Sequence, residues 1–238
     1  EVSQQRLSKS GVELPAYTSF REAGWHKLPL PDTQNIMFAD FRRDPDQYPL
    51  KTPSGKIEIF SSTVAGFAYD DCLGHPAWFA PPEWLGAAED TYPLHLLSNQ
   101  PRTKLHSQLD QGPVAAAAKI KGREEVQMHK DDAAARGIEE GDIIRLFNAR
   151  GAIYVGVRIT DQIRHGVVMV PTGAWLDLDK DDPELCKHGN PNMLAPDRPT
   201  SKLAQGPAAH SCLVQAEAVD QTRLPEVTAF IPPVIEKG

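Results

Sequence analysis

The chain has 238 residues, is 40% hydrophobic and 24% charged, and carries a formal net charge of −7. That composition is globular, and the length suits one large domain or a moderate domain with an appendage. The acidic balance argues against non-specific binding to nucleic acid or an anionic membrane surface. No run reaches the length of a membrane-spanning helix, so a soluble chain is expected.

Residues 1–90 read as an irregular lead-in. In "TSFREAGWHKLPLP", Ser19 with Glu22 three positions later forms a capping box and Gly24 a stop, which predicts one short helix. "YPLKTPSGKIEIFSS" predicts a hairpin turning at Pro53-Ser54-Gly55, because Lys56 to Phe60 alternates polar and apolar side chains. "DCLGHPAWFAPPEWLGAAEDTYP" is dense in Pro, Gly and Trp and reads as an ordered loop. Its aromatics are taken as packing groups, with the lining of a ligand cavity as the alternative.

From Tyr92 the pattern changes to compact strand-rich units. Strands are expected at Leu94 to Ser98 and Glu125 to Met128. "HKDDAAARGIEEGD" predicts a brief helix capped by Asp131 or Asp132 and ended by Gly137. "IIRLFNARGAIYVGVRIT" predicts a hairpin turning at Asn148 to Gly151. "GVVMVPTGAW" reads as a buried strand, Val167 to Val170, feeding a glycine-containing loop, and "SCLVQAEAV" as a last alternating strand. Short, closely spaced strands with one small helix among them point to a closed barrel. The tail, residues 221–238, is Pro-punctuated and expected to lie extended over the surface.

Catalytic signatures of common families are missing. There is no G-x-S-x-G elbow, Walker A loop, G-x-G-x-x-G or H-E-x-x-H. The 8 histidines never fall at helical metal-ligand spacing, so His106 and His188 read as hydrogen-bonded structural histidines. Asp131-Asp132, Glu139-Glu140 and Asp181-Asp182 are sequence neighbours that do not share a face, so they read as caps and solvated turns. Cys72, Cys186 and Cys212 form no C-x-x-C pair, which argues against a disulfide framework or a zinc site and for a reducing compartment. The chain starts at Glu1 without a signal-peptide pattern, and a fragment of a longer protein is expected.

Three polar loops follow the expected barrel strands. The first is "LLSNQPRTKLHSQLDQGP", residues 96–113; the second is "TGAW", Thr172 to Trp175. The third is "HGNPNMLAPDRPTSKLAQGPAAH", residues 188–210. Glycines let backbone N–H groups approach an acceptor, and amides both donate and accept. Arg102 and Lys104 are candidates to meet phosphate oxygens in charge-assisted bonds. The loops suit a large, flat, heteroatom-rich ligand carrying phosphates. They equally suit long connections stapled by their own amides, and residue chemistry alone leaves both open.

At these residues the sequence resembles the molybdopterin oxidoreductases of the dimethyl sulfoxide reductase type. The matching stretches are "LLSNQPRTKLHSQLDQG", "VQMHKDDAAARGIEEGDIIRLFNARG", "GVVMVPTGAWLD" and "HGNPNMLAPDRPTSKLAQGPAAHSCLVQ". The middle block marks only the wider barrel family, whereas the first and last resemble the S- and N-oxide reductase branch. The resemblance implies a mainly β fold, a six-stranded double-psi barrel of the aspartate-decarboxylase kind, with short helices. It places a lead-in belonging to upstream domains at 1–90, the cofactor-binding barrel at 91–220 and a tail at 221–238.

It also implies a cofactor, bis-molybdopterin guanine dinucleotide, with molybdenum held by upstream domains. By position the resemblance nominates Ser98, Asn99, Arg102, His106, Ser107 and Gln108 in the first loop. It nominates Gly173 and Trp175 in the second, and Asn190, Asn192, Ser201, Gln205 and Gly206 in the third. It implies no catalytic residue and no metal ligand here, and no turnover without the upstream domains. With one side of the cofactor cleft present, the isolated chain can come out without cofactor. The sequence departs from its relatives at "NMLAPDRPTS", where with Ala195, Pro196 and Pro199 the resemblance implies the loop's presence and leaves its detailed path open. Two other readings stand beside this one: a free-standing double-psi barrel used as a binding or adaptor module, and a small self-processing decarboxylase. The second wants a Gly-Ser junction that the sequence lacks. The compartment, cytoplasm or periplasm, and the particular oxide are left open.

Overall fold

The computed structural model describes residues 12–28 and 36–231. They fall into two compact units, one ending at Ile59 and one starting at Phe60.

In the first unit, α1 (Tyr17–Ala23) and α2 (Ala39–Arg43) are single short helices with no buried side chain. Gly24 ends α1 as expected: it adopts φ 74° and donates its N–H to the Phe20 carbonyl. The capping-box expectation fails, because Ala16 occupies the N-cap and Ser19 lies inside the helix. The turn near Gly55 forms, with Gly55 at φ 71° donating to the Thr52 carbonyl at 2.9 Å. The strand expected after it does not. Ile57 and Ile59 are 70% and 80% exposed. A lone alternating segment has no ladder partner among the described residues of this unit, and without one a strand is not stable.

The second unit opens with α3 (Ser62–Ala65), capped by the Ser61 hydroxyl, which accepts from the Val64 N–H at 3.2 Å. A 3-10 turn at Leu85–Ala87 precedes the barrel. Of the aromatics expected as packing groups, Trp84 lies against Gly86, Trp78 is 77% exposed, and Phe79 lines a surface cavity, which is the alternative reading. The loop is fastened by polar groups instead. The Glu83 carboxylate takes both terminal nitrogens of Arg150, at 2.6 and 2.9 Å, and accepts from the Leu213 N–H at 2.8 Å.

Seven strands follow: β1 (Leu94–Leu97), β2 (Glu125–His129), β3 (Ile143–Asn148), β4 (Gly151–Thr160), β5 (Val167–Met169), β6 (Leu185–Cys186) and β7 (Leu213–Ala218). Their hydrogen-bonded order is β2-β5-β1-β7-β3-β4-β6, and β2 also pairs with β4. The ring β2-β5-β1-β7-β3-β4 therefore closes, with β6 appended to β4, and the fold is the six-stranded double-psi barrel expected from the sequence. Two pairs are parallel, β1 with β5 and β2 with β4; the other four pairings that close the ring are antiparallel.

Period-2 patterning dictates the core. Leu94 and Leu96 of β1, Val126 and Met128 of β2, and Val214 and Ala216 of β7 point inward and are buried. Strand β4 is buried on both faces because Ile120 covers it: a Cβ on Gly156 would lie 2.2 Å from the Ile120 Cβ. The β3–β4 turn forms as predicted, with Asn148 paired to Gly151 and its side-chain oxygen accepting from the Arg150 N–H at 2.9 Å. The helix α4 (Lys130–Ala134) also forms, but His129 caps it, its Nδ1 accepting from the Asp131 N–H. Asp132 is no solvated cap: it is buried and accepts from the Gly166 N–H at 2.7 Å, holding the turn that leads into β5.

Candidate cofactor-binding site

Parallel pairing decides which loops meet. In β1–β5 the register His95↔Val167 to Leu97↔Met169 brings both strands out at the same end of the barrel. The first and second polar loops therefore leave side by side. They are joined at once by the Thr172 N–H, which donates to the Asn99 carbonyl at 2.9 Å.

Contact between the two loops then becomes very close. Gly173 sits at φ 96°, and a Cβ there would lie 1.9 Å from the His106 carbonyl oxygen. Only glycine fits both the conformation and the space. The Trp175 indole N–H donates to the Ser107 carbonyl at 2.7 Å, and the Trp175 backbone N–H donates to Asp110 at 3.0 Å. In the third loop, Asn190 caps a 3-10 turn at Pro191–Met193 and accepts from the Asn192 N–H.

Together the three loops wall a cleft of about 510 Å³. Six nominated residues line it: His106, Ser107, Gly173, Trp175, Asn190 and Asn192. Thr172 lines it too, and no carboxylate does. The other nominees lie elsewhere. Arg102 and Gln108 are exposed on the first loop, and the Ser98 N–H donates to His210 at 3.3 Å. Asn99 has a buried side-chain oxygen with no partner among the described residues. Ser201, Gln205 and Gly206 belong to a separate turn. In that turn the Ser201 hydroxyl accepts from the Ala204 N–H at 2.8 Å, and the Lys202 N–H donates to Asp71. The third loop is thus divided between the cleft and this turn.

Beneath the cleft lies a feature that no local pattern signalled. Lys104 and Lys119 each bridge Asp110 and Glu124, forming a closed ring of four alternating charges. The Lys104 side chain is 1% exposed, so it is not available to a phosphate, and that expectation is corrected. Burial pushes the Asp110 carboxyl up, but hydrogen bonds from Lys104 and Lys119 outweigh it and hold the group below its ordinary value. Burial likewise opposes the charge on Lys104, yet its bonds to Asp110 and Glu124 hold its pKa above the ordinary value. His188, fully buried, donates from Nδ1 to the Trp175 carbonyl at 3.0 Å. Burial, with the nearby charge of Lys119, pulls its pKa down and keeps it neutral. Its Nε2 has no partner among the described residues. The four ring residues are spread over positions 104 to 124, and nothing in their spacing marks them as a unit.

The donor set suits a large anionic ligand rich in heteroatoms. Residues with hydroxyl and amide side chains line the cleft, and no carboxylate competes there. The unpartnered Asn99 oxygen adds a buried acceptor on the same loop system. Among the described residues, no group of three or more His, Cys, Asp or Glu side chains is arranged to hold a metal ion. No helix among them is long and apolar enough to cross a membrane.

Residues 94–213 match the family described as molydopterin dinucleotide binding domain. The chain is 44% identical over 207 residues to biotin sulfoxide reductase of Cereibacter sphaeroides, which covers 87% of this chain and 27% of that protein. It is 43% identical over 233 residues to trimethylamine-N-oxide reductase 1 of Escherichia coli O157:H7, covering 94% of this chain and 27% of that protein. The chain thus spans about a quarter of the length of these curated relatives. Among solved structures, acetylene hydratase from Pelobacter acetylenicus superposes with a TM-score of 0.62 at 18% identity, over 89% of this chain and 28% of that one. At that identity the likeness concerns the fold alone. With the matched span running from the first barrel strand to the last, the chain belongs to the molydopterin dinucleotide binding domain family.

Proposed function

We propose that this chain is the cofactor-holding portion of a larger molybdenum oxidoreductase that reduces S- or N-oxides, and that its cleft grips one side of molybdopterin guanine dinucleotide. The observation that carries the reading is the carboxylate-free cleft built where β1 and β5 deliver their loops together. His106, Ser107, Gly173, Trp175, Asn190 and Asn192 form its walls. Arg102 stands exposed on the same loop to meet a phosphate. Ser98, Asn99 and Gln108 of the first loop contact the pterin and its phosphates, and Ser201, Gln205 and Gly206 join the site as the third loop closes over the pterin.

The bound group supplies the redox chemistry at molybdenum. This chain's residues bind, orient and desolvate it. Upstream domains of the same polypeptide provide the molybdenum ligand and the substrate funnel, residues 1–90 lead in from them, and 221–238 form a tail. The whole enzyme works in the cytoplasm or the periplasm.

The test uses two forms, the chain alone and the full-length polypeptide that contains it. Each is oxidised with acid and iodine and examined for pterin fluorescence, then supplied with reduced viologen and an S-oxide or N-oxide. Pterin and turnover are expected in the full-length form and no turnover in the chain alone. A full-length form without pterin, or turnover by the chain alone, overturns the reading.

A further inference from the structure

Residues 221–231 do not simply lie over the barrel. Gln221 exchanges two hydrogen bonds with the Ile143 backbone, accepting at 3.0 Å and donating at 2.7 Å. Arg123 donates to the Pro225 carbonyl. Thr228 is held most firmly. Its backbone N–H and its hydroxyl both donate to the buried Asp177 carboxylate, each at 2.7 Å. Its hydroxyl oxygen also accepts from Lys187 at 3.0 Å. A polar clamp of this kind fixes the two residues that follow.

The clamp is tied to the cleft at both ends. Asp177 stands two residues after Trp175, and Lys187 immediately precedes His188. The Lys187 N–H donates to the Asp177 carbonyl at 2.8 Å, so the two segments are also joined through backbone. Phe230 then packs edge-to-face against Trp175, which lines the cleft, and against His188 behind it. Its centroid lies 5.4 Å from that of Trp175, at 66°, and 5.1 Å from that of His188, at 88°. Trp175 is held by Ser107, Asp110 and His188 through hydrogen bonds, and Phe230 adds an aromatic contact to the ring itself.

We propose that Phe230, presented by the Asp177–Thr228 clamp, is a positioning residue that sets the Trp175 ring and through it the dinucleotide in the cleft. This deepens the reading of the cleft above and rests on it. The tail then belongs to the binding site although it lines no part of the cleft.

Phe230→Ala, Phe230→Tyr and Thr228→Val, made in the full-length polypeptide, test the idea with two readouts. The first is hydrogen–deuterium exchange over residues 172–176, with residues 143–157 as a barrel control. The second is retained pterin after acid-iodine oxidation. Phe230→Ala is expected to raise exchange over 172–176 alone and to lower retained pterin by about 2- to 10-fold, the size of one aromatic pair. Thr228→Val should do the same more weakly, and Phe230→Tyr, which keeps the ring, should restore both. Unchanged exchange overturns the proposal, as does raised exchange with full pterin retention. An increase spread over the barrel control in both Phe230→Ala and Thr228→Val means that the tail holds the fold and not the ring, which also overturns it. A wild-type protein without pterin removes the reading of the cleft instead, and the exchange readout still decides whether Phe230 holds Trp175.

Discussion

Gly173 and His106 touch through their main chains, and a single added carbon at Gly173 would sit 1.9 Å from the His106 carbonyl oxygen. That contact seals the first polar loop to the second and leaves the cleft open beside it. Gly173→Ala must push the loops apart while also straining a φ of 96°. We expect a loss of about 1–3 kcal/mol of stability from the backbone term alone, read from urea denaturation. Retained pterin should fall with it. Unchanged stability would mean that the loops do not meet here.

The four-charge ring under the cleft is net neutral, and removing one member leaves a buried uncompensated charge. Lys104→Met is expected to cost about 3–5 kcal/mol by urea denaturation. The double variant Lys104→Met, Glu124→Gln restores neutrality and should lose less than Lys104→Met alone. If the double variant is the less stable of the two, the ring is not held by charge balance.

His188 predicts a pH dependence whose sign follows from its buried, neutral state. Asp110, Lys119 and Glu124 face it. Its pKa lies below the ordinary value of 6.5 when folded, so as pH falls below that value the unfolded chain takes up a proton that the folded chain refuses. Stability should therefore drop between pH 6.5 and the lower folded pKa, and be fully present above 6.5. Asp110, whose folded pKa is depressed, acts in a separate window: its contribution is present above 3.8 and is lost as pH falls below it. Denaturation midpoints measured across the mildly acidic range should show the histidine slope. His188→Gln should flatten it; a slope that survives the substitution assigns it to another group.

Arg102 offers the cleanest separation of binding from folding. It is exposed, and a substitution away from packed groups changes stability little. Arg102→Ala should keep the melting temperature of the full-length polypeptide while lowering pterin content. It should also make retention less sensitive to salt, because a charge-assisted contact is lost. A variant that retains pterin like the parent removes Arg102 from the site.

What the sequence made legible was governed by local rules. Alternation of Leu94 and Leu96 located β1, the Asn148 turn located the β3–β4 hairpin, and Gly24 and Gly137 marked helix ends where a positive φ is needed. The polar loops read after β1 and β5 leave the barrel at one end and wall one cleft. What could not be read was governed by partners remote in sequence. Lys104 looks like a phosphate ligand until Asp110 and Glu124 are seen to enclose it. Asp132 looks like a helix cap until Gly166 turns out to need its oxygen. Lys56 to Phe60 alternates like a strand, but a strand is made by its neighbour as much as by its own residues. Ser201 and Gln205 were nominated with Asn190 from one continuous stretch, and the chain in between carries them to a different turn.

The crossed pairing of the barrel also sets the order in which the cleft can be built. Strand β1 leaves the ribosome first among the seven, yet its neighbours are β5 and β7, and Leu94 waits for Val214 to arrive. Contacts so remote in sequence make folding slow relative to local hairpins. The β3–β4 hairpin can close early; the loop carrying His106 and Ser107 has no second wall until Gly173 has been synthesised, and Trp175 has no aromatic neighbour from the tail until Phe230 follows. A cleft walled by all three loops, and backed by the tail, is therefore expected only after the segment carrying Phe230 has been synthesised.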